Sequence, residues 1–160
     1  MSVLLKNNYH IHTYRCGHAS GSEDEYVLAA IKAGFKTIGI SDHIFLPGFV
    51  QAGIRGDFSN LDDYIDTLKK LKEKYKSLIN ILIGFEAEYY PMFVDYYKSL
   101  LKTKGVDYLI LCQHCYIEDG NFSFYKYSLN PSMMLDKYVN DVCEGIKTGL
   151  FSFVCHPDQY

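Results

Sequence analysis

Five short apolar runs alternate along this chain with four longer segments whose apolar residues recur at helical spacing. The runs are NNYHIH, FKTIGIS, INILIGFE, VDYLILCQH and FSFVCH. Short runs rich in β-branched and aromatic residues predict buried strands, and the longer amphipathic segments predict helices. Because strand and helix alternate, the order favours a parallel sheet covered by helices. The sequence therefore predicts an α/β fold with about five strands and four helices.

The four helical segments carry start and stop signals at their ends. The first, over 20–34, opens with Ser20 or Ser22 before three acidic residues, which suit a helix N-terminus. The second, over 59–78, opens with Ser59 or Asn60 as its cap. The third and fourth span 91–105 and 132–149. The segment 44–58 has no apolar period and carries Gly and Pro, so it predicts a long loop. A loop with turn signals at Asp119-Gly120 is predicted after the fourth strand.

All six histidines lie at or just beyond the end of a predicted strand. They are His10, His12, His18, His43, His114 and His156. The third run ends instead on two carboxylates, Glu86 and Glu88. The strands of a β/α barrel deliver side chains to one open face in this way. Imidazole and carboxylate are ligands of zinc, manganese and iron. Because these ligands outnumber those that one tetrahedral ion takes, the pattern predicts two or three ions.

Each motif also has an ordinary structural explanation when it is taken alone. A loop histidine such as His18 is often a solvated surface residue. Asp42 could orient the ring of His43 or cap a helix. Glu86 and Glu88 share one face of a strand, where they could coordinate an ion or point to solvent. Since no histidine falls within a predicted helix, the joint pattern favours a metal site.

Composition excludes several classes of function. The formal net charge is -3, and only two of the 16 basic residues are arginines. The protein therefore has no overall positive field to attract nucleic acid or an anionic membrane. No apolar stretch approaches the length of a membrane span. The chain is thus expected to act on a small molecule.

The cysteines predict the cellular compartment. Five cysteines, with no signal peptide and no second CxxC pair, predict a reduced, cytoplasmic protein. Four of them adjoin predicted ligands: Cys16, Cys112, Cys115 and Cys155. They could serve as soft ligands, although small buried residues at strand ends are the favoured interpretation.

Five motifs, YHIHTYRCGH, IGISDH, GFEAEYYP, CQHCY and CHPD, resemble in order and spacing those of the PHP (polymerase and histidinol phosphatase) family. The match is closest to the histidinol-phosphatase branch and covers one domain over residues 1–160. The resemblance implies a distorted (β/α)7 TIM-like barrel with a trinuclear centre of zinc, manganese or iron. By position, His10 and His12 would hold the first ion with Glu86 as a bridge. Glu86, His114 and His156 would hold the second ion, and His18 and His43 the third.

Family members carry an Asp-x-His motif on their last strand, and this sequence lacks that motif. We therefore expect the chain to be the N-terminal part of a longer product, with about five barrel strands and four helices. The alternatives are a degenerate remnant and a second chain that supplies the missing strands. An incomplete barrel exposes sheet edges, so a homo-oligomer is also considered.

The resemblance implies a metal-dependent phosphomonoesterase. The first candidate reaction is hydrolysis of L-histidinol phosphate in histidine biosynthesis, with Glu86 and His114 at the catalytic centre. Arg55 and Arg15 lie in loops near the histidines and could clamp a phosphate. Three carboxylates would orient the ligands: Asp42, Glu88 and Asp158. The alternatives are a PHP phosphoesterase that acts on nucleotides or nucleic acid ends, and a catalytically inactive metal-binding domain.

Overall fold

A curled parallel sheet forms the centre of the protein in the computed structural model, which describes residues 6–127 and 131–158. Its strands are β1 (Asn7–Asn8), β2 (Thr37–Ile40), β3 (Asn80–Ala87), β4 (Tyr108–Leu111) and β7 (Phe153–Val154). Their order is β1-β2-β3-β4-β7, and each pairs in parallel with the next. The five predicted strands of a half-barrel are confirmed, although each is shorter than its apolar run.

Four α-helices follow the first four strands of the sheet. They are α1 (Glu23–Lys32), α2 (Leu61–Lys74), α3 (Val94–Ser99) and α4 (Pro131–Lys147). The third predicted helix is the least regular, since a 3-10 turn over Pro91–Phe93 precedes α3 and a π-helical turn over Leu100–Lys104 follows it.

The helix caps agree with the sequence fully at α1 and in part at α2. Ser22 forms a capping box with Glu25, as the serine before the acidic residues predicted. At α2 Asn60 occupies the predicted N-cap position, but it makes no capping hydrogen bond through its side chain. Asp57 instead caps a preceding 3-10 turn, where it accepts a hydrogen bond from Ser59 N at 2.8 Å.

The predicted loop after the fourth strand contains an antiparallel hairpin of β5 (Cys115–Glu118) and β6 (Asn121–Phe124). Its turn is Asp119-Gly120, with φ angles of 50° and 77°. Two successive positive φ angles suit a two-residue hairpin connection, and Gly adopts them without strain. The turn therefore falls at the two residues predicted for it, whereas the paired strands on either side of it were not predicted.

Tyr108 fills the space on one face of the sheet beneath the strand ends. A Cβ atom at either Gly39 or Gly84 would overlap its phenol ring, so only glycine fits at these two positions. The Tyr108 hydroxyl donates to Tyr9 O at 2.7 Å, which ties β4 to the segment after β1. The absence of side chains at Gly39 in β2 and Gly84 in β3 thus lets the ring of Tyr108 pack directly against the backbone of both strands.

Two neighbouring strands are also joined covalently. Cys112, directly after β4, and Cys155, directly after β7, form a disulfide with their Cα atoms 5.5 Å apart. The prediction that all five cysteines are reduced was wrong for this pair. The pairing depends on β4 and β7 being neighbours in the sheet, whereas the two cysteines are 43 residues apart in sequence. Among the helices of the described residues, none is both long and apolar enough to span a bilayer.

Candidate metal centre

The carboxyl ends of the parallel strands meet at one edge of the sheet, and this edge carries most of the predicted ligands. Hydrogen bonds continue beyond the strands: Ser41 N donates to Ile11 O and Ile44 N to Glu86 O, each at 2.8 Å. These bonds hold the segments after β1, β2 and β3 in register. The side chains brought together are those of His10, His12, His43, Glu86, His114 and His156.

Glu86 lies at the centre of this group and is 1% exposed. Its Oε2 is 2.7 Å from Nε2 of His12 and 3.2 Å from Nε2 of His10. Its Oε1 is 3.3 Å from Nε2 of His114 and 3.2 Å from Nε2 of His156. Each carboxylate oxygen therefore faces its own set of imidazole nitrogens. A carboxylate that bridges two ions has the same division between its oxygens.

The donor set fits divalent ions. Among the described residues, four groups have ligand atoms within 4.8 Å of one another. They are His12 with His43 and Glu86; His10 with Glu86, His156, Cys112 and Cys155; His12 with Cys16 and His18; and His43 with Glu88 and His114. In the described part of the chain, the Nδ1 atoms of three rings are buried without a hydrogen-bond partner: His12, His43 and His114. Buried polar atoms normally have a partner, so the Nδ1 atoms of His12 and His43 have unused hydrogen-bonding capacity, whereas that of His114 faces Oε1 of Glu88 at 3.4 Å.

The charges of the group divide it into protonated and neutral rings. Burial would lower the pKa of His12, but hydrogen bonds with Cys16 and Glu86 outweigh it and raise that pKa to about 10. Burial also raises the pKa of Glu86, yet the surrounding histidines bring it well below its usual range. Burial lowers the pKa of His43 to about 3. Without an ion, the proton of His12 therefore balances the negative charge of Glu86, while His43 is neutral.

Glu88 lies two residues further along and contacts the opposite side of His114. Its Oε1 is 3.4 Å from Nδ1 of His114, and both its oxygens accept from Nη2 of Arg55 at 3.0 Å. Burial alone would raise the pKa of Glu88, but Arg55 and His114 lower it to about 2. A carboxylate on the second ring nitrogen fixes the orientation of a ligating histidine. The orienting role of Glu88 stays a prediction, and its position beside His114 is consistent with that role.

His18 lies at the border of the centre and is exposed. Its ring centroid is 5.1 Å from that of His12 and 5.2 Å from that of His43. Cys16 Sγ is 3.7 Å from its Nε2. No carboxylate of the described residues forms a ligand group with His18 and His43. A third ion held by these two rings therefore stays a prediction.

Four further predicted residues have other contacts. Arg15 pairs with Glu23 and donates from Nη1 to Asp63 at 2.7 Å. Arg55 donates to Ile44 O at 3.0 Å and Gln51 Oε1 at 2.9 Å besides Glu88, and its side chain is fully buried. Asp42, predicted to orient His43, instead accepts two hydrogen bonds from Thr13, each at 2.6 Å. Asp158 is exposed beyond β7. Phosphate binding by the two arginines stays a prediction, because carboxylates occupy their guanidinium groups here.

Comparison with known proteins identifies the family of this chain. Residues 8–160 match the family model described as PHP domain. The chain belongs to the PHP domain family. A probable histidinol-phosphatase of Deinococcus radiodurans is 30% identical over an alignment of 160 positions. The alignment covers 93% of this chain and 59% of that protein. The histidinol-phosphatase of Bacillus subtilis is 32% identical over 129 residues, or 74% of this chain and 47% of that protein.

A solved structure supports the fold of this PHP chain. The histidinol phosphate phosphatase of Lactococcus lactis, complexed with zinc, L-histidinol and phosphate, superposes with a TM-score of 0.70 at 18% identity. The match covers 96% of this chain and 58% of that one. The α/β half-barrel is thereby confirmed as part of the PHP barrel type. The chain spans between 47% and 59% of the length of these three relatives.

The sequence favoured small buried residues for the cysteines beside the ligands and left soft ligation as the alternative, and the structure places two of their sulfur atoms beside His156. Cys155 Sγ lies 3.2 Å from Nε2 of His156 and 3.8 Å from Oε1 of Glu86. The motifs CQH and CHPD place a cysteine next to each ligand, but either cysteine alone resembles a small core residue. Only the pairing of β4 with β7 brings the two together.

Proposed function

We propose that this chain carries the metal centre of a PHP phosphomonoesterase, and that the substrate is L-histidinol phosphate in histidine biosynthesis. One observation carries the proposal: the two oxygens of Glu86 separate the site histidines into two sets. The 30% identity to a histidinol-phosphatase supports the choice of substrate. The proposal extends to any longer protein that contains these residues, and its location is proposed to be cytoplasmic.

The ligands are proposed in the order in which the rings surround Glu86. His10 and His12 would hold one ion together with Oε2 of Glu86. His114 and His156 would hold a second with Oε1, which their contact distances of 3.3 and 3.2 Å favour. His18 and His43 are proposed for a third. Zinc is the first candidate because the Lactococcus lactis relative is complexed with it, and manganese and iron suit the same ligands.

Divalent ions, when bound here, would lower the pKa of water and neutralise the charge of a phosphate group. The chain's own residues would fix the geometry of that chemistry. Glu86 would hold the two sets of ligands at a fixed separation. His114, clamped between Glu86 and Glu88, would keep one ring orientation, since both its nitrogens face a carboxylate. Phosphate binding by Arg15 or Arg55 would require the guanidinium group to leave its present carboxylate partner.

An open groove borders the proposed centre and could admit a small ester. It has a volume of about 580 Å³, and its lining includes His10, His12 and His18. Apolar residues, among them Ala29, Ala33 and Phe35, also line it. A cavity of this size suits a small ligand. With a net charge of -3, the protein offers no field for a nucleic acid strand, so a nucleotide ester is the second candidate.

The test is release of phosphate by the purified, zinc-loaded protein. We expect turnover of L-histidinol phosphate to exceed that of a nucleoside monophosphate. Glu86→Gln should lower it by roughly 100-fold or more, because even the outer partners of metal ligands cost 10- to 100-fold. Glu118→Gln, at an exposed position of the hairpin, is the matched control and should keep full activity.

Two outcomes would decide against the proposal. Higher turnover of the nucleotide would favour the second candidate substrate. Bound zinc without turnover of either ester would favour a catalytically inactive metal-binding domain.

A further inference from the structure

Two cysteines follow the neighbouring strands β4 and β7 and lie directly below the metal centre. Their Cα separation of 5.5 Å is that of an ordinary disulfide, and each adjoins a proposed ligand in sequence. Cys155 directly precedes His156, and Cys112 lies two residues before His114. A change in the redox state of this pair would therefore occur next to proposed ligands on both strands.

The sulfur atoms are within reach of the ligand atoms themselves. Nε2 of His156 is 3.2 Å from Cys155 Sγ and 3.6 Å from Cys112 Sγ. Cys155 Sγ is also 3.8 Å from Oε1 of Glu86. Nitrogen and sulfur atoms that bind one tetrahedral ion at their normal bond lengths lie about 3.5 Å apart. Cys155 Sγ thus has the position of another ligand to the ion proposed for His156 and Glu86.

We propose that Cys112 and Cys155 are a reversible redox pair, in which reduced Cys155 supplies a sulfur ligand to this ion and the disulfide withdraws it. The inference rests on the metal centre proposed above. A thiolate is a strong ligand for zinc. A disulfide sulfur is neutral and is a much weaker ligand. Oxidation should therefore weaken the ion held by His156, Glu86 and Cys155.

The oxidation step needs only a small-molecule disulfide. The thiolate of Cys155 attacks one sulfur of that disulfide, and the first small thiol leaves. Cys112 then attacks the mixed disulfide at Cys155, which releases the second small thiol and closes the Cys112–Cys155 bond. Two protein thiols are oxidised and one small disulfide is reduced to two thiols. Cys155 is the half-buried member and Cys112 the fully buried one, so attack through Cys155 agrees with their exposure.

Cobalt(II) is the probe, because a thiolate ligand gives it a charge-transfer band in the near ultraviolet that imidazole and carboxylate do not give. The full chain is loaded with cobalt after reduction, and again after treatment with glutathione disulfide. We expect the band in the reduced protein and its loss on oxidation. The number of thiols titrated in denaturant should fall by two, and a thiol reductant should restore both signals.

Three serine variants assign the band. Cys155→Ser should bind cobalt through the histidines without the band, and Cys112→Ser should keep the band after exposure to the oxidant. Cys143→Ser, at an exposed position of α4, is the matched control and should behave as the original chain.

Cobalt bound to the reduced protein without the band would overturn the inference and leave the proposed function standing. A thiol titre that the oxidant does not change would overturn it as well. Failure of the reduced protein to bind any cobalt would overturn the proposed metal centre and this inference together.

Discussion

At the scale of single residues, the two carboxylates that end β3 have different partners. Both were predicted at the site from the sequence GFEAE, since residues two apart on a strand share a face. The structure directs Glu86 to the histidines and Glu88 to Arg55. The resemblance gave Glu86 the bridging role and Glu88 an orienting one, but the pairing of Glu88 with Arg55 could not be predicted, because Arg55 lies 33 residues away in a loop without periodicity.

Arg55 and Glu88 form a fully buried ion pair, so we expect Arg55 to contribute to the stability of the fold. Arg55→Met should lower the free energy of unfolding by about 3–5 kcal/mol, because it leaves the charge of Glu88 buried without its partner. Urea denaturation of the metal-free protein measures the loss. Combining it with Glu88→Leu should recover most of the loss, since a paired apolar replacement removes both charges.

Lys104→Met is the control for this prediction, since both side chains of its ion pair with Asp62 are exposed. It should cost less than Arg55→Met. Equal losses for the two single variants would show that the buried pair at Glu88 has no special energetic importance.

His12 makes metal uptake depend on pH. Its pKa of about 10 means that the metal-free ring carries a proton at neutral pH, and an ion must displace that proton to bind Nε2. Because the protonated form competes with the ion, affinity should rise as pH rises, by up to about tenfold per pH unit below the pKa of His12. Zinc titrations in metal-buffered solution between about pH 6 and about pH 8 measure this slope. An affinity that is constant or falls over that range would contradict the protonated state of His12.

At the scale of elements, the existence and order of the strands and helices could be predicted, and their ends could not. The run NNYHIH predicted a strand to His12, but paired residues stop at Asn8 and only single hydrogen bonds continue the alignment. The hairpin of β5 and β6 was missed because its strands are short and only partly buried, so their apolar pattern is weak. Its turn residues, Asp119 and Gly120, were the available signal.

The packing of Tyr108 against two strand glycines gives a prediction at this scale. Gly84→Ala places a Cβ atom inside the volume of the phenol ring. Overpacking of this kind typically costs about 1–3 kcal/mol of unfolding free energy. Thermal unfolding of the single variant and of Gly84→Ala combined with Tyr108→Val measures it.

If the ring causes the loss, Gly84→Ala should cost much less in the Tyr108→Val background. Equal costs in both backgrounds would locate the loss in the backbone of β3 instead of in the contact with Tyr108.

At the scale of the whole molecule, the parallel half-barrel followed from the alternation of strands and helices and from the family resemblance. The disulfide did not follow, because it depends on which strands are neighbours and not on local spacing. Both edges of the sheet, β1 and β7, are short, and α4 exposes Leu135, Val139 and Ile146. An edge and an apolar helix face of this kind can take up another element, so self-association stays a prediction.

The central claim is that Glu86 would bridge two ions whose other ligands come from the ends of three strands, β1, β4 and β7. Elemental analysis of the purified, zinc-loaded protein after removal of free metal tests it most directly. We expect two or more equivalents of zinc in the original chain and a loss of at least one equivalent in Glu86→Gln, with Glu118→Gln unchanged. A Glu86→Gln protein that keeps its full zinc content would contradict the claim.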